Sequence, residues 1–294
     1  MSDEKPKRKK VTIPKLYEKK QRGEPIVMCG INDYPHARAS DLVGGLDIAS
    51  VGDSGAMVNF GRDTTLDVPF EEELVMVQAV RRGTQYAMVL ADMPYMTYQV
   101  SKEEAIRNAG RYVSEGGAEV MKCEGDKYTA ENIGAIVRAG VPVMGHIGMT
   151  PMSAAKFGGF KPQGMTAQRA AQLIDDAKAM EDAGCFAILL EWCAAEVGAY
   201  LSKNLAVPVI SLGAGPYCDG VHVIGGDLFW LYDKFVPQHS KVYVNIREIF
   251  QQVYRDYIAD VTNRTYPEPA HWITMPDSER LIFEKMLHTE LDMA

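Results

Sequence analysis

Glu115-Gly116-Gly117-Ala118-Glu119-Val120-Met121-Lys122-Cys123-Glu124, followed one helix-length later by Arg138-Ala139-Gly140-Val141-Pro142-Val143-Met144-Gly145-His146, decides the fold. Each half is a glycine turn and then a short apolar run that ends on a chemically capable side chain. Glycine closes a helix in the left-handed conformation at little steric cost. An apolar run this short, between helical segments, reads as a buried parallel strand. The unit recurs: Arg81-Arg82-Gly83 precedes Tyr86 to Leu90, and Asp182-Ala183-Gly184 precedes Phe186 to Glu191. Ser101 with Glu104, Thr129 with Asn132, and Thr166 ahead of Ala167 mark helix starts. Repeated strand, helix and glycine turn build a parallel sheet.

The strands are expected at 26–30, 48–51, 86–90, 119–122, 141–145, 186–190, 208–212 and about 233–236. Eight of them suit an α/β fold, a single (β/α)8 TIM barrel with an N-terminal helix and a C-terminal helical extension. A doubly wound open sheet competes, but no G-x-G-x-x-G follows the first strand. The expected division is a basic flexible tail at 1–10, a barrel at 11–271 and an extension at 272–294. The chain reads as helical after residue 240 through Tyr257, and Pro276 to Leu291 reads as a last helix that packs on a neighbouring subunit. The glycine-rich segment from Gly158 to Gly164 reads as a lid or wall.

Strands of a closed α/β barrel all open their C-terminal ends onto one face, where such folds keep their chemistry. Five runs end there on Asp53, Asp92, Glu124, His146 and Glu191, with Lys122 inside the third. Asp53 and Asp92 suit a hard cation such as Mg²⁺, with Glu124 joining directly or through water. One strand-end Asp is as readily a helix cap. Three acids together favour a metal or catalytic role, because uncompensated carboxylates repel and a cation relieves them. Lys122 lies two positions before Glu124 and so shares its face; it holds a substrate carboxylate or pairs with an acid. His146, near Gly145 and Gly148, reads as structural or functional with equal weight. Glu191 is the natural general base, since burial raises its pKa toward working pH, and otherwise a helix-capping acid. Gly213-Ala214-Gly215 is a weak signal for an anion site. Met93, Tyr95, Met96 and Tyr98 read as core or subunit contact.

At 294 residues with 47% hydrophobic content the chain can bury a large core, and its formal charge of −8 argues against a general nucleic-acid binder. No apolar run reaches the 18 residues of a membrane span. Lys5, Lys7, Arg8, Lys9 and Lys10 have no apolar stretch behind them, so the start reads as a solvated tail rather than a secretory signal, with a targeting or polyanion-binding arm as the lesser reading. Five cysteines without a C-x-x-C suggest neither a disulfide framework nor a zinc site and fit a cytoplasmic location. Cys123, between Lys122 and Glu124, points the other way, into packing.

Taken in order, several segments resemble the ketopantoate hydroxymethyltransferase family, within the phosphoenolpyruvate mutase and isocitrate lyase superfamily. They are Val51-Gly52-Asp53-Ser54, Asp63-Thr64-Thr65-Leu66, Ala79-Val80-Arg81-Arg82-Gly83, Leu90-Ala91-Asp92-Met93-Pro94-Tyr95, Lys122 with Glu124 and Gly125, Gly145-His146-Ile147-Gly148-Met149-Thr150-Pro151, Phe157-Gly158-Gly159-Phe160-Lys161, Leu190-Glu191 and Gly213-Ala214-Gly215 with Cys218-Asp219-Gly220. The resemblance runs from about Val11 to His271. It implies Mg²⁺ on Asp53 and Asp92 with Glu124 nearby, and substrate contacts from Ser54, Asp92, Lys122 and His146. It implies Glu191 as proton-transfer base, with His146 also at the catalytic centre. It further implies 5,10-methylene-tetrahydrofolate as one-carbon donor, 3-methyl-2-oxobutanoate as acceptor, a step of pantothenate biosynthesis, and a homo-oligomer, commonly a decamer. The chain departs from the family pattern at Met165, at Trp192-Cys193-Ala194, at Ser211 and at Pro237-Gln238-His239. Those departures keep open a related enzyme acting on a different 2-oxo acid, or a folate-independent carbon–carbon lyase or aldolase. A catalytically silent homologue is the weakest alternative, because all six polar strand-end residues are kept.

Overall fold

Eight parallel strands close into a barrel in sequence order. They are β1 (Ile26–Gly30), β2 (Ile48–Val51), β3 (Met88–Asp92), β4 (Val120–Glu124), β5 (Val143–Gly148), β6 (Ala187–Glu191), β7 (Val209–Leu212) and β8 (Gly220–Ile224). The structure is a computed structural model that describes residues 8–291. The helices are α1 (Ile13–Arg22), α2 (Tyr34–Val43), α3 (Asp53–Phe60), α4 (Phe70–Gly83), α5 (Lys102–Arg111), α6 (Ala130–Arg138), α7 (Ala167–Asp182), α8 (Ala195–Asn204), α9 (Gly225–Leu228), α10 (Ile246–Asn263) and α11 (Asp277–Leu291). The architecture is therefore the (β/α)8 barrel.

The first seven strands fall where the glycine turns and apolar runs set them. The eighth does not: β8 is 220–224, not 233–236. A helix is expected between β7 and β8, and among the described residues only the turn 213–219 lies there. Asp219 makes that short crossover possible. Its carbonyl accepts from the Ile26 N–H of β1, and its carboxylate accepts from the Val209 N–H of β7 at 2.8 Å. Two of the three expected helix caps form: Ser101 accepts from the Glu104 N–H and Thr166 from the Arg169 N–H. Thr129 does not cap α6, because its hydroxyl is captured by the Asp126 backbone.

Side chains alternate between two cores, as the strand period requires. The barrel interior is filled by Ile26, Met28, Ile48, Met88, Leu90, Val120, Met144, Leu189, Ile210 and Leu212, and Leu16 of α1 joins this cluster from below. Lys19 pairs with Asp47 and Lys20 with Asp219, so α1 is stitched under the barrel. The second core lies between sheet and helices and holds Cys123, whose side chain points away from its two polar neighbours as expected. All five cysteines are free.

The basic tail expected at 1–10 falls largely outside the described residues. Residues 1–7 lie outside the described chain, but Arg8 and Lys10 are engaged. The Arg8 guanidinium donates to the Asp41 carbonyl at 2.6 Å and stacks on Tyr86, and Lys10 pairs with Glu119. Packing divides the chain into one unit up to Val244 and a second from Asn245 onward. Helix α10, in the second unit, contributes no buried residue to any core. No helix among the described residues is long and apolar enough to cross a membrane.

Candidate active site

A cavity of about 480 Å³ opens at the C-terminal ends of the strands. Asp53, Ser54, Asp92, Lys122, Glu124, His146 and Glu191 all line it. Each arrives from the C-terminal half of a strand or from the first residues beyond one. Asp53 is the first residue of α3 and Glu191 the last of β6. Two glycines make the approach possible. A Cβ on Gly52 would stand 2.6 Å from Asp92 Oδ2, and one on Gly148 would stand 2.3 Å from the Glu191 carbonyl oxygen. Gly148 also sits at φ +98°, where a side chain is strained.

Lys122 is the hub. Its Nζ lies 2.8 Å from Asp92 Oδ2 and 3.2 Å from His146 Nδ1. Burial works against its charge, but Asp92, Asp53 and Glu124 outweigh that and hold the ammonium above its ordinary range. An ammonium only donates, so His146 Nδ1 accepts and the ring proton resides on Nε2. Burial, then Lys122 and His222, hold His146 far below its usual value, so the ring is neutral. Nε2 lies 3.0 Å from Glu191 Oε2 without the alignment of a hydrogen bond. The Glu191 carboxyl is 14% exposed and is pushed up to about 8, chiefly by burial and further by Asp53 and Asp92, with Lys122 opposing. Glu124 is held higher than usual by burial and Asp53; its Oε2 accepts from the Met152 N–H, and Tyr98 fixes its carbonyl.

Asp53 is raised to about 7, mainly by burial and then by Asp92, and Asp92 is raised by burial against the pull of Lys122. Asp53 Oδ2 and Asp92 Oδ1 are buried and have no partner. Unpaired buried carboxylate oxygens are costly, and two at one cavity fit a cation. Among the described residues no three His, Cys, Asp or Glu side chains form a closed ligand set. An open pair of this kind suits Mg²⁺, which takes one or two carboxylates and fills its shell with water and substrate oxygens, better than a structural zinc.

Several neighbours lie outside the set expected from the strand ends. His222 of β8, His239 and Asp227 line the same cavity. His222 lies on β8 at 220–224, outside the strand expected at 233–236; the alternation Val221-His222-Val223 is its only sequence signal. Glu73 of α4 is fully buried with both oxygens unpartnered; burial, then Asp92 and Asp53, hold its carboxyl far above the ordinary range. Nothing in the local sequence of α4 marks it. Gly213-Ala214-Gly215 does not line the cavity, and a Cβ on Gly213 would meet the His239 ring at 2.7 Å. Phe160 from the glycine-rich loop does form wall, as do Trp192, Tyr232 and Phe235. Trp192 holds a left-handed backbone (φ +39°) pinned by hydrogen bonds from its N–H to Leu212 and from Gln163 to its carbonyl. Strain of this kind in a non-glycine persists only where surrounding structure enforces it.

Comparison with known proteins agrees with this geometry. A family model described as ketopantoate hydroxymethyltransferase matches residues 10–269. The 3-methyl-2-oxobutanoate hydroxymethyltransferase of Heliobacterium modesticaldum is 42% identical over 275 residues, covering 94% of this chain and 99% of that protein. The enzyme of the same name from Carboxydothermus hydrogenoformans is 41% identical over 266 residues, covering 90% and 96%. Among solved structures, phosphonopyruvate hydrolase in complex with oxalate and Mg²⁺ superposes with a TM-score of 0.58 over 95% of this chain and 97% of that one. At 13% identity that likeness is one of fold.

Proposed function

The chain belongs to the ketopantoate hydroxymethyltransferase family, and from that premise we propose that it transfers a hydroxymethyl group from 5,10-methylene-tetrahydrofolate to 3-methyl-2-oxobutanoate. The product is 2-dehydropantoate, in pantothenate biosynthesis. One observation carries the reading: a hydrogen-bonding cation, a buried carboxyl base and two carboxylates with orphaned oxygens share one cavity. A Mg²⁺ ion on Asp53 and Asp92, with Glu124 beside them, would supply positive charge to the acceptor's carboxylate and keto oxygens and to the enolate charge that develops on deprotonation.

The remaining work falls to side chains. Lys122 holds the acceptor carboxylate. Ser54, at the start of α3, offers a hydroxyl beside Asp53. Glu191 takes the proton from C3, the position made acidic by the adjacent ketone. His146 places its Nε2 3.0 Å from Glu191 Oε2, beside the proton-transfer base. The carbon nucleophile so formed bonds to the methylene carbon of the donor, both C–N bonds of that methylene bridge break, water supplies the hydroxyl oxygen, and tetrahydrofolate leaves with protons on its two nitrogens. Trp192, Phe160, Tyr232 and Phe235 form an aromatic mouth suited to a planar heterocycle. We further propose a homo-oligomer located in the cytoplasm. The exposed apolar residues Phe250, Val253 and Tyr257 of α10 support assembly with a second copy.

The test is direct. Purified protein is incubated with 3-methyl-2-oxobutanoate, methylene-tetrahydrofolate and Mg²⁺, and 2-dehydropantoate is followed by mass spectrometry. Omitting the folate or chelating the metal abolishes product. Product formed equally well without folate overturns the donor assignment.

A further inference from the structure

We propose that His222 binds the oxygen of the transferred one-carbon unit. The inference rests on the hydroxymethyl-transfer reading above. It follows from which walls of the cavity are already committed.

Strands β2 to β4 and their loops supply Asp53, Asp92, Lys122 and Glu124, which face the acceptor's carboxylate and keto oxygens. Strands β5 and β6 supply His146 and Glu191, the proton-transfer side. The new carbon–carbon bond forms at the carbon that Glu191 deprotonates, and the incoming unit needs a wall of its own. Only β7, β8 and β1 remain. Their strand residues at the cavity are Leu212, His222, Ile224 and Gly30, and the segment after β8 adds Asp227, which already accepts from Ser240, with Gln238 and His239. Of the four strand residues, His222 alone carries a side-chain hydrogen-bonding group.

The state of the ring matches that use. His222 is 4% exposed and its Nδ1 has no partner. It stands opposite Met28 in the β1–β8 register, in an otherwise apolar stretch of the barrel interior. Burial, then the positive charge of Lys122, depress it to about 3, so it is neutral. A neutral imidazole offers one donor and one acceptor, and a hydroxyl both donates and accepts. A carboxylate would call for a charged donor instead. The ring meets the Met28 backbone on one side, and the hydroxymethyl oxygen is the group this reaction brings to its cavity side. Gly30, on the neighbouring strand, leaves the space open.

The experiment compares two ligands that differ by the transferred group. Calorimetry on the Mg²⁺-loaded protein measures Kd for 3-methyl-2-oxobutanoate, which lacks the hydroxymethyl, and for 2-dehydropantoate, which carries it. His222→Leu and His222→Val remove the hydrogen bond, and His222→Asn keeps a neutral donor and acceptor. The expected result is a product Kd raised about 10- to 100-fold in the apolar variants, the range of one lost hydrogen bond to a buried partner. The acceptor Kd stays within about threefold and Asn recovers part of the loss, as a hydrogen-bonding rather than packing role requires. Circular dichroism identifies which apolar variant folds. A product-to-acceptor ratio equal to wild type in a folded apolar variant overturns the assignment. Wild type that binds neither acid overturns the functional reading itself, and the two failures are thereby distinct.

Discussion

Glu191 carries the sharpest consequence at the scale of single residues. Its carboxyl is raised to about 8 by burial first, with Asp53 and Asp92 adding to the shift and Lys122 opposing. A base acts only when unprotonated. Proton exchange at C3 of the acceptor therefore rises with pH and levels off above about 8. Saturating Mg²⁺ moves the step downward, because a cation neutralises the two aspartates. Glu191→Gln abolishes the step and slows exchange roughly 10²- to 10⁴-fold; deuterium wash-in followed by NMR reads both. Asp92 supports a second expectation. Wild type gains about 2.7 kcal/mol of stability from Mg²⁺ at a hundred times its Kd. Asp92→Asn loses most of that gain, because it removes one of two carboxylate ligands and weakens the contact with Lys122 at 2.8 Å. A Mg²⁺-dependent shift in Tm as large as that of wild type contradicts the metal site.

Elements matter through what they deliver and what they seal. Six strands, β2 to β6 and β8, each place a polar side chain at the cavity. Helix α1 instead seals the barrel at the other end, with Leu16 fully buried in the interior cluster. Leu16→Ala removes that plug from a closed interior that cannot collapse onto the gap. The expected loss is about 2–5 kcal/mol, read as a lower urea midpoint. The site lies at the opposite strand ends, so Mg²⁺ affinity at low denaturant is unchanged. A midpoint within error of wild type would show that α1 contributes no packing. Among the described residues the β7–β8 connection is the one crossover where the strand–helix alternation fails. Asp219 replaces helix packing there with direct hydrogen bonds to two strands.

On the scale of the whole molecule, the chain stores like charge in its interior. Glu73 and Glu191 are both held above the ordinary carboxylate range. Groups of this kind bind more protons folded than unfolded. Metal-free protein therefore loses stability as pH rises from about 4, the unfolded range, toward about 8, where Glu191 titrates in the folded chain. Thermal melts across that window, without and with Mg²⁺, check the direction; a metal-free Tm that rises with pH contradicts it. The second unit shows the opposite imbalance. Phe250, Val253, Tyr257 and Val261 of α10 lie on exposed helix positions with no core beneath them. Phe250→Asp with Tyr257→Asp is expected to lower the assembly size by light scattering while leaving the barrel's circular dichroism intact. Unaltered mass contradicts the proposed assembly through α10.

Local pattern along the chain was enough for the barrel and its polar strand ends. Periodicity, glycine stops and apolar runs involve only near neighbours, and seven strands and the set Asp53, Asp92, Lys122, Glu124, His146 and Glu191 could be read from them. Each of those residues follows directly from its own strand, and the closure of the sheet brings them to one cavity. What lay beyond was decided in three dimensions. The eighth strand was misplaced because its neighbour is reached without a helix, so local alternation misled. His222 became visible only once that strand was in register with β1. Glu73 sits in the first turn of α4 beside Glu71 and Glu72, where sequence gives no sign that this one acid is buried near the aspartates. Thr129 had the composition of a cap, yet a competing turn at Asp126 took its hydroxyl. The protonation of Glu191 likewise depends on burial and on Lys122, Asp53 and Asp92, and the tautomer of His146 on Lys122, which β4 carries next to β5. Such properties arise from distances between residues far apart in the chain, and only closing the barrel sets those distances.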